Sequence, residues 1–213
     1  VLKFRILGNL RFLSHRETLA MFHRVFVRAG VNLCYSQGFN PHPAISLPLP
    51  RSVGMRSEDE LLYALLADDC TVQRRRLNES IGSELPTGCE ILQIDIIQQK
   101  VRFNATSAVY EFPLSSLCED KPFKANIERL QKSLASDAPL IVSRRGSPKK
   151  SWRQIDIRSY IDSVECKSNM LFVRCNITPT GSVRVDEILQ LLEIEPSGLC
   201  GPINRKSVQW ISN

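Results

Sequence analysis

The first thirty residues change hydrophobic period once, and that change restricts the fold more than any other feature of the chain. "LKFRIL" alternates apolar and basic residues, with Leu2, Phe4 and Ile6 on one face and Lys3 and Arg5 on the other, the pattern of a half-buried strand. After a turn at Gly8-Asn9, Ser14-His15-Arg16-Glu17 reads as a capping box, in which the serine oxygen accepts from an orphan amide and Glu17 reaches back. A helix follows, with Leu19, Phe22, Phe26 and Ala29 three and four apart. Arg16, His23 and Arg24 fall on its other side, and Gly30 supplies a left-handed stop. A strand and a helix that are each apolar on one side can bury both stripes by layering helix on sheet.

The same alternation continues. "VNLCY" reads as a second strand, and the segment from Ser36 to Met55, with Pro41, Pro43, Pro48 and Pro50, reads as an ordered loop or short hairpin, because proline pairs only at sheet edges. "DELLYALLA" fits helix or strand; taken as a third strand, it is followed by a helix in "VQRRRLNESIG", closed by Gly82, and a strand in "CEILQIDIIQ". That is the split βαββαβ order. Beyond residue 104 a similar order returns. "SAVYEFPL" reads as a strand, "PFKANIERLQKSLAS" as a helix with Leu130 and Leu134 on its buried face, and "PLIVSR" as a strand. "IDIRSYIDSVEC" and "NMLFVRCNI" form a hairpin turning at Ser168-Asn169, then "VRVDEILQLLEI" a helix and "KSVQWIS" a last strand. The expected fold is therefore α+β, two tandem ferredoxin-like (βαββαβ) units with antiparallel sheets, residues 1–103 and 104–213.

Several classes fall away. No apolar run approaches the roughly 18 residues of a membrane helix, and the first residues lack the pattern of a signal peptide, so a cytoplasmic protein with no membrane partner is expected. The seven cysteines are scattered, with no Cys-x-x-Cys pair, and read as small buried residues rather than as metal ligands or a disulfide framework. No phosphate-binding glycine loop, dinucleotide fingerprint or serine nucleophile elbow is present. His15 and His23, eight apart, lack a third ligand, so no metal is expected.

Charge is concentrated. Residues 1–56 carry eight lysines and arginines against the single acid Glu17, and Arg144 to Arg158 carry six against Asp156, whereas Glu58, Asp59, Glu60, Asp68 and Asp69 cluster between them. The three acids Glu58, Asp59 and Glu60 read as surface residues, with Glu60 the exception. Two basic zones on a chain of net charge +6 point to RNA or another anionic ligand.

Each basic zone holds a candidate site. In "CYSQGFNPHPAIS", Gly38 permits a backbone turn closed to other residues and Pro41 and Pro43 restrict the chain before any ligand arrives. The loop thus presents Tyr35, Gln37, Phe39, Asn40 and His42 as rings for stacking and groups for hydrogen bonding. The competing possibility is that Tyr35 and Phe39 plug a gap between helix and sheet. His42 is also the weak candidate for a general base. Arg11, Ser14, His15, Arg16 and Arg24 lie at or along the first helix, whose amino terminus suits phosphate; a merely solvated basic face is the alternative. In "SRRGSPKKSWRQIDIR", Arg145, Lys149, Lys150 and Arg153 surround Trp152, a combination that suits backbone charge contacts with stacking on an exposed base. It also fits a hairpin tip with the indole anchored in the core.

"LRFLSHRETLAMFHRVFVRAG", "YSQGFNPHPAISLPLP", Gly54, Ser57 and Glu60, continued more loosely by "RQIDIRSYI", "GSVRVDEIL" and Arg205, resemble the signature of the radical SAM-linked protein family, a domain of unknown function. Val185 stands where that family usually has proline. The resemblance implies a radical S-adenosylmethionine (SAM) enzyme as partner, encoded beside or fused to the domain. The chain has no Cys-x-x-x-Cys-x-x-Cys, so the iron–sulfur cluster and S-adenosylmethionine are expected only in that partner and no cofactor in this chain. The expected function is a non-catalytic RNA-binding or substrate-presenting accessory module, in RNA modification. The alternatives are an RNA-processing endonuclease of tandem ferredoxin-like type using His42, and a protein-only adaptor.

Overall fold

The computed structural model describes residues 1–67, 74–98, 101–115, 121–136, 138–146 and 151–212. The chain is mixed α+β and divides into two compact units, Val1–Ala105 with Trp210–Asn213, and Thr106–Gln209.

In the first unit, β1 (Leu2–Ile6) leads through a 3-10 turn at Gly8–Phe12 into α1 (His15–Arg28), followed by β2 (Ile45–Ser46), β3 (Arg56–Ala64), α2 (Arg74–Glu84) and β4 (Cys89–Ile94). The strands lie in the order β2-β3-β1-β4, each pair antiparallel. The period-two pattern of β1 is realised: Leu2, Phe4 and Ile6 are buried, while Lys3 and Arg5 meet Asp59 of β3 at 3.8 Å and Glu90 of β4 at 2.5 Å. Phe4 packs edge-on against Phe22 of α1, ring centroids 4.6 Å apart, and Leu77 and Ile81 of α2 join the same core. Burial of a phenylalanine this complete contributes about 2–3 kcal/mol.

The second unit is built from β5 (Phe103–Pro113), α3 (Lys121–Leu134), β6 (Ile141–Arg145), β7 (Trp152–Asp156), β8 (Ile161–Lys167), β9 (Met170–Thr178), β10 (Gly181–Ser182), α4 (Val185–Leu191) and β11 (Asn204–Ser212), the first three residues of β5 and the last three of β11 belonging to the first unit. Its main sheet runs β8-β9-β5-β11, with β10 also on β9, and β6 and β7 form a separate two-stranded antiparallel sheet. Ser168 and Asn169 both have positive φ, +46° and +60°, the geometry of a tight turn matched to strand twist, and they join β8 to β9. Phe112, Leu130, Leu171, Val173 and Ile188 are among its buried residues.

Several expectations need correction. "VNLCY" is not a strand: it makes only single bridges, Leu33 with Leu66 and Tyr35 with Pro43, because proline offers no amide to extend a ladder. The strand position beside β3 is taken by Ile45–Ser46. "PLIVSR" is a strand, as expected, but pairs with Trp152–Asp156 outside the main sheet, and β8 starts only at Ile161. Helix α2 runs through Gly82 to Glu84, and α4 starts at Val185 rather than Val183. Of the acid cluster, Glu60 is 3% exposed, the exception expected, whereas Glu58 and Asp59, expected at the surface, are partly buried, Asp59 accepting from the indole of Trp210 at 3.3 Å. Asp68, Asp69, Cys70 and Cys118 lie outside the described residues. Among the described residues no helix is long and apolar enough to cross a membrane.

Candidate functional site

The loop after α1 folds back on itself. Ser36 donates its amide to the His42 carbonyl at 2.8 Å, Ala44 to that of Cys34 at 2.8 Å, and the His42 amide to Ser36 Oγ at 3.0 Å. Between these rungs the chain reverses at Gly38, whose φ of +132° is closed to other residues. Residues 37–42 are exposed, and Phe39 at the tip is 104% exposed. Phe39 therefore plugs no gap. Tyr35 is different: 45% exposed, it sits edge-on to His23 of α1, with its hydroxyl 3.1 Å from His23 Nε2. His23 thus ties the loop to the helix.

A second anchor comes from Arg51. Its guanidinium donates to the carbonyls of Met55, Arg11 (2.7 Å), Leu13 (3.0 Å) and Leu10 (3.4 Å). The far end of the loop is thereby pinned under the turn that leads into α1, where Gly54 also donates to the Arg11 carbonyl at 2.8 Å.

The amino terminus of α1 is already satisfied. Ser14 Oγ accepts from the Glu17 amide, and the Glu17 carboxylate accepts from the Ser14 amide at 2.8 Å and from Ser14 Oγ at 2.6 Å. Those bonds, the side-chain one first, hold the Glu17 carboxyl below its ordinary range. A carboxylate seated there occupies the place expected for a phosphate, so Ser14 is a cap and His15, half-buried, simply opens the helix. Arg11 lies over the Phe12 ring at 4.2 Å and donates to the Gly8 carbonyl at 2.8 Å. Further along, Arg16, Arg24 and Arg28 are exposed and have no ion-pair partner among the described residues.

The second predicted group is partly assembled. Cross-strand register places Arg145 opposite Trp152 and Arg144 opposite Arg153. Trp152 is 65% exposed, so it is not anchored in the core. Arg145 and Arg153 are exposed; Lys149 and Lys150 lie outside the described residues. Arg144 is instead bound bidentately to the buried carboxylate of Glu187, Nε at 2.5 Å and an Nη at 2.7 Å, and also donates to Ser182.

Sequence reasoning did not assign roles to His23, Arg51, Arg144 or Glu187. Tyr35 lies 12 positions from His23, Arg51 reaches carbonyls about 40 positions away, and Glu187 lies 43 positions from Arg144; such pairs leave no periodic trace. His42 has no side-chain partner for its ring among the described residues, whereas a general base is ordinarily oriented by a third group. Among the described residues no three His, Cys, Asp or Glu are grouped to hold a metal. A cleft of about 420 Å³ lies between α2 and β4, bordered by Arg74, Arg75, Asn78 and Gln93; its two arginines are paired with Asp95 and Glu79.

The family described as "Uncharacterized protein conserved in bacteria (DUF2344)" matches residues 1–187. No curated protein matches the chain. Among solved structures, a chain of "Crystal Structure of a Cbf5-Nop10-Gar1 Complex" superposes with a TM-score of 0.45 at 8% identity, covering 97% of this chain and 49% of that one. The chain spans about half the length of that match, and the likeness is too low to speak for fold or function.

Proposed function

Because the chain belongs to the uncharacterized family conserved in bacteria that matches its first 187 residues, and no activity comes with that membership, we propose its function from its surface. It is a non-catalytic accessory module that binds RNA and presents it to a radical SAM enzyme. The observation that carries this reading is Phe39: a wholly solvent-exposed phenyl ring on a loop braced by Gly38, two prolines, the His23–Tyr35 contact and Arg51. A ring that contributes nothing to the core, carried on a braced backbone, suits stacking on an unpaired base. The exposed guanidiniums of Arg16, Arg24 and Arg28 on the neighbouring helix supply sequence-independent attraction for phosphate. The radical SAM partnership and a role in RNA modification rest on the resemblance of the "GFNPHP" signature, and the cluster and S-adenosylmethionine belong to the partner. We also read both units as ferredoxin-like: β2-β3-β1-β4 and β8-β9-β5-β11 are one strand order used twice, with β6–β7 inserted in the second.

Binding of fluorescein-labelled RNA tests the reading. Affinity falls steeply as salt rises, and Arg24→Glu and Phe39→Ala each weaken it, the latter by roughly 5-fold or more. Absence of binding by the intact chain at low salt overturns it.

A further inference from the structure

The hairpin β6–β7 is not needed to complete the second unit's main sheet, and its outward side carries an exposed indole. Partners across an antiparallel ladder share a face, so Trp152 and Arg145 stand side by side on it. Tryptophan is seldom left 65% exposed. Here the indole has a guanidinium beside it and the exposed Arg153 next to it in sequence. Asp156, the acid of β7, is at the strand's far end, where its carboxylate accepts from the amides of Leu140 and Arg158 at 2.9 and 3.0 Å.

The hairpin is held at both ends of its strands. Arg144 is locked to Glu187, and Arg184 donates to the Arg145 carbonyl at 3.2 Å. Arg158 donates to the carbonyls of Ser136 and Leu134 at 2.6 and 2.5 Å. A strand backbone held in this way costs little further ordering when a ligand reaches the indole it carries.

We propose that this face is a stacking site for an unpaired nucleotide of RNA, with Trp152 taking the base and Arg145 the adjoining phosphate. This rests on the RNA-binding reading above and deepens it, since it makes single-stranded rather than duplex RNA the preferred substrate class. Charge decides against an apolar protein partner: Arg145 stands across the ladder from the ring and Arg153 next to it in sequence, and the buried carboxylate of Glu187 is already paired with Arg144.

The test compares an unstructured RNA of about 12 nucleotides with the blunt duplex of the same sequence, by fluorescence anisotropy on the full chain. Trp152→Ala is expected to weaken the single strand about 5- to 100-fold and to leave the duplex unchanged, while Trp152→Phe restores most of the loss. Arg145→Glu weakens both RNAs. Unchanged far-UV circular dichroism is expected for each variant, because none of these side chains is in a core. The proposal is overturned if Trp152→Ala binds the single strand like the parent chain, or if both RNAs lose affinity equally. Retained binding in Trp152→Ala with loss in Phe39→Ala removes the hairpin site and leaves the broader reading standing. If the parent chain binds neither RNA at low salt, both fall.

Discussion

Phe39 and Arg51 belong to the same loop and do opposite things for it. Phe39 is fully in water, so truncating it removes no buried apolar area. Arg51 is a half-buried guanidinium spread over four backbone carbonyls, and carbonyls denied a charged donor lose about 2–3 kcal/mol. Arg51→Ala is therefore expected to lower unfolding free energy by about that amount, read by urea denaturation, and Phe39→Ala to leave the midpoint in place. The contrast also shows what could be read beforehand. Phe39 was legible because glycine and proline beside it announce a constrained turn. Arg51 was not, because its acceptors are main-chain oxygens, which every residue carries.

Helix α1 was legible down to its cap because everything that starts it lies within four residues. Ser14 and Glu17 satisfy each other's backbone amides, and Ser14→Ala is expected to cost about 1 kcal/mol. The pH dependence has a definite sign. The Ser14 hydrogen bonds lower the Glu17 pKa in the folded chain, so its contribution is present above the ordinary carboxylate range and lost as pH falls through the depressed value. Thermal melts of the parent chain and Glu17→Gln should therefore differ at neutral pH and converge in acid; a constant gap at all pH values contradicts this account. Strands lack such local marks. "VNLCY" and "PLIVSR" have the alternation of strands, but the pairing partner decides where a strand goes. Pro43 opposite Tyr35 and Trp152–Asp156 opposite Ile141–Arg145 lie too far along the chain, or in too irregular a segment, for alternation to identify them.

Across the whole chain, the net charge of +6 is a poor guide until individual cations are followed to their partners. Lys3, Arg5 and Arg144 are matched to acids, and Arg51 and Arg158 to carbonyls; Arg16, Arg24 and Arg28 of α1 are among the cations that face water. The cysteines separate in the same manner, and each unit holds its own reporter. Cys89 in the first unit is buried, and that burial pushes its thiol to about 12. Burial likewise raises the thiol of Cys175 in the second. Cys166 and Cys200 are exposed. Because the thiolate is the nucleophile and must also be reached, iodoacetamide near pH 8 should alkylate Cys166 and Cys200 in the native chain and spare Cys89 and Cys175. Peptide mass spectrometry across a urea series then reads each core separately, Cys89 and Cys175 becoming reactive only as the unit around each one opens. Rapid native labelling of Cys89 would contradict the packing of β4 against β1, on which the first core depends, and equal labelling of Cys175 would do the same for the β5–β9 pairing.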